Sequence, residues 1–362
     1  MLHAMIMAGG GGTRFWPRSR NSRPKQFLTF AGDRTLLQET VDRIAAQVPP
    51  ERTWVLTGEA YVQATAEQLP ELPAAHIIGE PCRRDTAPCV GLGAALIARD
   101  DPDATIIVMP ADHVIEPQQE FRRAVHAAEQ FAAAHPGSLL TFGIPPSFPS
   151  AGYGYIRVGE SVGKRQEVEA SRVVEFKEKP DEATAERYVA GGGYLWNSGI
   201  FVWKPAAILG ELTQRRPDIA ASVSRIAESF GSPKFTAVFN SEYAAIKGTS
   251  IDYAVMQDAA AAGKVLVLKA PYTWDDVGSW LALERRNPQD ANRNTVQGLH
   301  CGVETEECVI VSDGDHLIGT LGVRDLIIIR EGNATLVTTR KKESEVKRLV
   351  DEIKAKGLER YL

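Results

Sequence analysis

Residues 2–27, LHAMIMAGGGGTRFWPRSRNSRPKQF, decide how the rest of this chain is read. Leu2 to Ala8 is an apolar run of strand length, and Gly9, Gly10, Gly11 and Gly12 after it let the backbone bend tightly and come close to a ligand. A strand that empties into a glycine loop predicts a phosphate cradle. The two common cradles do not match. A Walker loop needs Lys and then Ser or Thr directly after its last glycine, whereas Gly12 is followed by Thr13 and Arg14. A dinucleotide fingerprint counted from Gly9 and Gly11 needs a third glycine at the place of Arg14.

Charge gives the next indication. Arg14, Arg18, Arg20, Arg23 and Lys25 follow one another without an intervening acid, and Pro17 and Pro24 oppose a single continuous helix. So much positive charge on an irregular loop suits a ligand more anionic than a dinucleotide, such as a nucleoside triphosphate. The same residues also allow a solvated basic turn. The chain as a whole is acidic, with 41 Lys and Arg against 46 Asp and Glu and a net charge of −5, so the basic loop is local and no broad nucleic-acid footprint exists.

The 362 residues suffice for one large domain and a smaller one. No leader pattern and no apolar run long enough to span a bilayer is present, and a soluble cytoplasmic protein without membrane contact is expected. Cys82, Cys89, Cys301 and Cys308 lack the close spacing of zinc ligands and are expected as reduced thiols.

Along the chain, Thr35 to Val48 reads as a helix and Thr53 to Thr57 as a strand, which with the first strand begins a doubly wound α/β sheet. His76 to Gly79 is another short strand, and the small-residue run Cys89 to Arg99 a closely packed helix. Thr105 to Met109 is apolar on both faces, as a central parallel strand is, and runs into Pro110, Ala111 and Asp112. Ligands of open α/β sheets gather at the carboxyl ends of strands, which places Asp112 where chemistry is done. Glu116 to His135, Pro205 to Ala227, Ser250 to Ala262, Trp280 to Arg286 and Ser344 to Lys356 read as helices, and Leu139 to Gly143 and Val265 to Lys269 as strands. Tyr194 to Trp203 sets aromatic residues around Asn197, a pattern that fits a sugar platform or a buried aromatic strand. From Thr295 to Thr339 four short strands are expected, Cys308 to Val311, His316 to Leu321, Leu326 to Ile329 and Ala334 to Val337, with no strict repeat.

The stretch GGGGTRFWPRSRNSRPKQF resembles the signature of bacterial mannose-1-phosphate guanylyltransferases (GDP-mannose pyrophosphorylases), within the sugar-1-phosphate nucleotidyltransferases. It departs from the usual loop at Gly11, where Ser or another small residue is common, and at Phe15, where Leu is frequent. The resemblance extends over nearly the whole chain. It implies a Rossmann-like doubly wound mixed sheet of the nucleotidyltransferase type over 1–287, followed by a small β-helix-like cap with a terminal helix over 288–362. It also implies a homodimer; because the chain ends soon after its short cap, the fused isomerase domain of bifunctional relatives is expected to be absent.

The reaction it implies is mannose 1-phosphate plus GTP giving GDP-mannose plus pyrophosphate, with Mg²⁺ as cofactor. Catalysis falls to Arg14, Lys25, Asp112 and Asp276, of which Asp112 and Asp276 hold the metal. Nucleotide contacts fall to Gly9, Gly10, Gly12, Thr13, Arg14, Glu80, Arg84, Asp85, Thr86 and Asp112. Sugar phosphate contacts fall to Gly154, Glu178, Lys179 and Asn197. The family pattern, not spacing, selects Asp276 over Asp275. On local grounds Arg84 to Thr86 also reads as a cap and turn, Asp112 and Asp276 as helix caps, and Glu178-Lys179 as an exposed strand end. A thymidylyl- or uridylyltransferase acting on glucose 1-phosphate shares this chemistry. An idle regulatory subunit would have lost some of these charges, and a dehydrogenase would need a third glycine where this chain has Arg14.

Overall fold

The computed structural model describes residues 1–30 and 32–362. Its strands are β1 (Leu2–Ala8), β2 (Thr53–Gly58), β3 (Ile77–Glu80), β4 (Thr105–Pro110), β5 (Val114–Glu116), β6 (Leu139–Ile144), β7 (Tyr155–Arg165), β8 (Val168–Lys177), β9 (Tyr194–Trp203), β10 (Val265–Lys269) and β11 (Thr273–Asp275). The C-terminal part adds β12 (Thr295–Gln297), β13 (His300–Glu306), β14 (Val309–Ser312), β15 (Ile318–Arg324), β16 (Leu326–Glu331) and β17 (Ala334–Thr339).

The chain divides into two compact units that do not follow its linear order. One comprises Met1–Gly9, Thr40–Ala111 and Ile115–Trp274; the other comprises Gly10–Glu39, Asp112–Val114 and Asp275–Leu362. The first unit is built on a nine-stranded mixed sheet in the order β3-β2-β1-β4-β9-β6-β10-β8-β7. β1 pairs in parallel with both β2 and β4, with Met5 opposite Trp54 and Val108, and these central strands are mostly apolar and buried along nearly their whole length because both faces are covered. β9 enters antiparallel between β4 and β6, and β7 pairs with β9 as well as β8, so the last five strands close on themselves. The helix Thr86–Asp100 packs against β1 so closely that a Cβ at Gly93 would press on the Met5 side chain. This is the doubly wound α/β architecture expected.

The second unit carries a parallel β-helix. Its chain alternates between a sheet β12-β14-β16-β17 and a sheet β13-β15, with Cys308, Ile310, Ile318 and Ile328 filling its inside, while Val309, Val311, Ile327 and Ile329 on the other face of the larger sheet pack against Phe15, Trp280 and Val346. Thr295 lies opposite Val309 and Val309 opposite Ile327, coils of unequal length that explain why no strict repeat is visible in the sequence. β13 was not expected: in HCGVETE only Thr305 is buried, so no alternation marks it. Pro205 to Ala227 is two helices, Pro205–Arg215 and Pro217–Ser229, because Pro217 has no N–H to continue the first. Ser250 to Ala262 contains a π-helical segment, Asp252–Met256, before a short α-helix. Among the described residues no helix is long and apolar enough to cross a membrane.

Candidate active site

In the second unit the glycine loop folds onto Lys25. Gly12 has φ 59°, and a Cβ there would press on Lys25 Cβ and lie 2.9 Å from Lys25 N, so only glycine fits. Ser19 Oγ donates to Gly12 O at 2.7 Å. Thr13–Phe15 then forms a single 3₁₀ turn whose Phe15 packs edge-on against Phe30 and Trp280, each with ring centres 5.1 Å apart. Lys25 is 7 % exposed, and Nζ donates to Asp112 Oδ2 at 2.7 Å and to Asp276 O at 2.6 Å. Burial alone would raise the Asp112 carboxyl, but the Lys25 ammonium, with His113 beside it, holds it below the usual carboxylate range.

The neighbouring acids are used differently. Asp275 accepts two bonds from Arg285, 2.6 and 2.9 Å, and one from Val277 N. Asp276 Oδ1 accepts from Gly278 N at 3.1 Å, and the turn between them holds Val277 at φ 44°. A left-handed β-branched residue is strained, and such strain concentrates at functional sites.

The five cations of the loop part company. Arg20 donates to Pro17 O, Tyr361 O and Asn333 Oδ1, while Arg18 and Arg23 face the Glu331 carboxylate at 3.8 and 3.4 Å. Trp16 Nε1 also donates to Tyr361 O at 2.7 Å. These three arginines tie the loop to the β-helix and chain end within the unit, where the sequence suggested a ligand. Arg14 is exposed and has no partner among the described residues.

In the first unit, Gly9 lies against Glu80: a Cβ there would come 3.1 Å from Glu80 Oε2. Glu80 accepts from the Tyr243 hydroxyl and from the Cys89 thiol, and burial pushes its carboxyl up to about 7. Arg84 donates to Tyr243 O and Ala244 O, the last carbonyls of the helix Phe235–Ala245. Asp85, at φ 65°, caps the helix Thr86–Asp100 by accepting from Thr86 N, the capping role its residue type also allowed. Thr86 Oγ1 accepts from Ile251 N at 2.9 Å.

The four expected sugar residues meet in this unit. Asn197 N donates to Gly154 O at 2.8 Å, and a Cβ on Gly154 would press on Glu178 Oε2 and lie 3.3 Å from Asn197 Cβ. Lys179 Nζ lies 3.0 Å from Glu178 Oε1, on a backbone with φ 45°. Burial alone would lower the Lys179 ammonium, but its bond to Glu178 holds it above its usual value. Sequence reasoning missed Asp252, which accepts from Asn197 Nδ2 at 3.0 Å. Burial and then the Glu178 charge push its carboxyl up to about 7. Its only signal was an acid inside an apolar helical run. Trp196 and Trp203 are buried, with Phe148 and Tyr153 edge-on to Trp196, so the two indoles do not form an open platform.

Residues 3–293 match the nucleotidyl transferase family and residues 298–353 the MannoseP isomerase/GMP-like beta-helix domain. The chain is 39 % identical to a mannose-1-phosphate guanylyltransferase of Escherichia coli K12 and 38 % to the mannose-1-phosphate guanylyltransferase ManC of Salmonella typhimurium, over 98 % of its own length and 74 % of theirs. A crystal structure from Thermus thermophilus, described as a mannose-1-phosphate geranyltransferase, superposes with a TM-score of 0.84 at 34 % identity, covering 98 % of this chain and 99 % of that one. Matching sequence across both domains, matching fold and the signature loop lead to one conclusion: the chain belongs to the nucleotidyl transferase family, in its mannose-1-phosphate guanylyltransferase branch.

Proposed function

We propose that this chain is a mannose-1-phosphate guanylyltransferase, which converts GTP and mannose 1-phosphate to GDP-mannose and pyrophosphate. The observation that carries the chemistry is the Lys25 clamp, one buried ammonium bonded to the Asp112 carboxylate and to the main chain of Asp276. A sugar phosphate oxygen attacks the α-phosphorus and pyrophosphate leaves opposite it. No covalent link to the protein is needed, so the protein supplies alignment and neutralisation of charge. Lys25 is already oriented by its two partners and stabilises charge at the α-phosphorus. Arg14, exposed and without a partner among the described residues, holds the triphosphate and the departing pyrophosphate, with Gly9, Gly10, Gly12 and Thr13 giving the loop its close backbone.

Glu80, Arg84, Asp85 and Thr86 form the nucleoside end. Since Arg84 and Asp85 are bonded to backbone groups, they act by fixing the course of that segment. Glu178 accepts from sugar hydroxyls, Lys179 pairs with the sugar phosphate, and Asn197 and Gly154 complete the pocket.

Asp112 and Asp276 are the residues that would hold Mg²⁺. The Asp112 side chain is 37 % exposed, and no cage of three or more His, Cys, Asp or Glu occurs among the described residues. Two accessible carboxylates are the donor set this ion uses when phosphate oxygens and water complete its shell. Bound there, it would offset the repulsion between the two anionic substrates. We further assign the enzyme to the cytoplasm, as a homodimer.

The test is pyrophosphate release from GTP and mannose 1-phosphate with Mg²⁺, run beside glucose 1-phosphate and the other nucleoside triphosphates. Strong release is expected only from the GTP and mannose pair. Preference for another pair would move the specificity, and no release from any pair would favour an idle subunit.

A further inference from the structure

Asn197 has its carboxamide orientation fixed. The Gly199 N–H donates to Asn197 Oδ1 at 3.2 Å, and the Thr141 hydroxyl shares its proton between Oδ1 and Ile200 O, at 3.2 and 3.1 Å. Turning the amide over would set an NH₂ group against a backbone N–H. Its Nδ2 therefore faces Asp252 and donates to Oδ1 at 3.0 Å, which leaves one N–H to give. Asp252 is itself set by main-chain bonds. The strap before it is laced to the nucleoside segment by Thr249 N to Arg84 O at 3.1 Å, Ala87 N to Thr249 O at 3.0 Å and Ile251 N to Thr86 Oγ1 at 2.9 Å. Gly248 has no room for a side chain, since a Cβ would lie 2.9 Å from Arg84 O.

From this lacing we infer that Asp252 is a positioning residue for sugar binding: by accepting one N–H of the Asn197 amide it acts with Gly199 N and Thr141 Oγ1 to hold that amide, so that the remaining N–H is left for a sugar hydroxyl beside the Glu178 carboxylate. The inference rests on the functional reading above and adds a residue to it. The charged groups acting on Asp252 are Glu178 and Lys179. With its carboxyl raised to about 7, Asp252 is in part neutral near neutral pH, and in that form it accepts from Asn197 without repelling Glu178. Its place at the start of a π-helical segment agrees with this, because such bulges recur at functional sites.

Steady-state kinetics of the full chain test it, using whichever sugar 1-phosphate and nucleotide the wild-type chain turns over. A different preferred sugar would then overturn the substrate assignment and leave this comparison intact. Asp252→Ala should raise KM for the sugar phosphate roughly tenfold or more, the scale of a lost hydrogen bond to a charged or buried group, with KM for the nucleotide unchanged. Asp252→Asn keeps an oxygen that accepts from Asn197 and should recover most of the loss. Asp252→Ala added to Asn197→Ala should cost little more than Asn197→Ala alone, because the two act as one unit. If Asp252→Ala does not fold, Asp252→Leu keeps the volume without the acceptor and serves the same comparison. Equal rises in both KM values, an Asn variant as impaired as Ala, or independent multiplicative effects would each overturn the inference.

Discussion

In the reaction proposed, a single lysine organises the chemistry because it is buried with its charge met. Lys25 is bonded to Asp112, and removing that charge leaves an ammonium 7 % exposed without its counterion. Asp112→Asn and Asp276→Asn should each lower turnover by roughly 10²–10³-fold, the scale of losing one preorganised electrostatic group. Full activity in either variant, with the fold retained by circular dichroism, would remove that residue from the mechanism. Gly12 makes a second case. Gly12→Ala adds about 1–2 kcal/mol for the left-handed backbone and drives a Cβ into Lys25, whereas at Gly10 a Cβ meets nothing within 4 Å among the described residues. Thermal unfolding should therefore separate Gly12→Ala from Gly10→Ala by several degrees, and equal midpoints would contradict the packing. Glu80 gives a pH signature. Its carboxyl lies near 7 in the fold against an ordinary 4.5, so its contribution to stability is complete below 4.5 and is lost as pH rises through about 7. Glu80→Gln removes that loss, so wild type should lose ground to the variant between pH 5 and pH 8. A gap between their unfolding midpoints that does not change with pH would mean that Glu80 ionises normally.

At the scale of elements, what the sequence shows depends on where the partners lie. β1, β4 and the helix Thr86–Asp100 are legible because their burial is written in consecutive residues. Asp112 is legible because a buried strand delivers it. The arginines of the loop are not: the sequence shows five cations in a row, but Glu331 and Tyr361, which engage three of them, come some three hundred residues later. β13 is hidden for a different reason, since its side chains mostly face solvent and carry no period. Asp252 is hidden because its role comes from a strap whose bonds are made mostly by its own main chain, which leave little trace in residue type. The division among the arginines has a measurable consequence. Arg20→Ala removes bonds to Pro17 O and Tyr361 O and should speed hydrogen exchange over residues 12–24, while Arg14→Ala should leave exchange there unchanged and raise KM for the nucleotide. Exchange unaffected by Arg20→Ala would show that the loop holds itself without the β-helix.

For the whole molecule, the family and its reaction were legible in one loop, but the composition of the two units was not. Gly9 ends a segment of one unit and Gly10 begins a segment of the other, so the signature loop clusters with residues 275–362 although it follows the first strand of the large sheet. Local patterns cannot announce this, because the Phe15 contact with Trp280 and the Lys25 contact with Asp276 join the two ends of the chain. The chemistry proposed for the assembled molecule sets one more requirement, on direction. One phosphoanhydride, between the α- and β-phosphates of GTP, is broken as another, in GDP-mannose, is formed, so the overall free energy change is small. No covalent intermediate on the protein stands between them, and the same groups that neutralise the departing pyrophosphate must receive it on return. Incubated with GDP-mannose, Mg²⁺ and excess pyrophosphate, the protein should produce GTP and mannose 1-phosphate, and Asp112→Asn should slow this direction by the same factor as the forward one. Forward turnover without any reverse reaction would contradict the exchange of one phosphoanhydride for another, since a catalyst must accelerate both directions of a reaction whose free energy change is small.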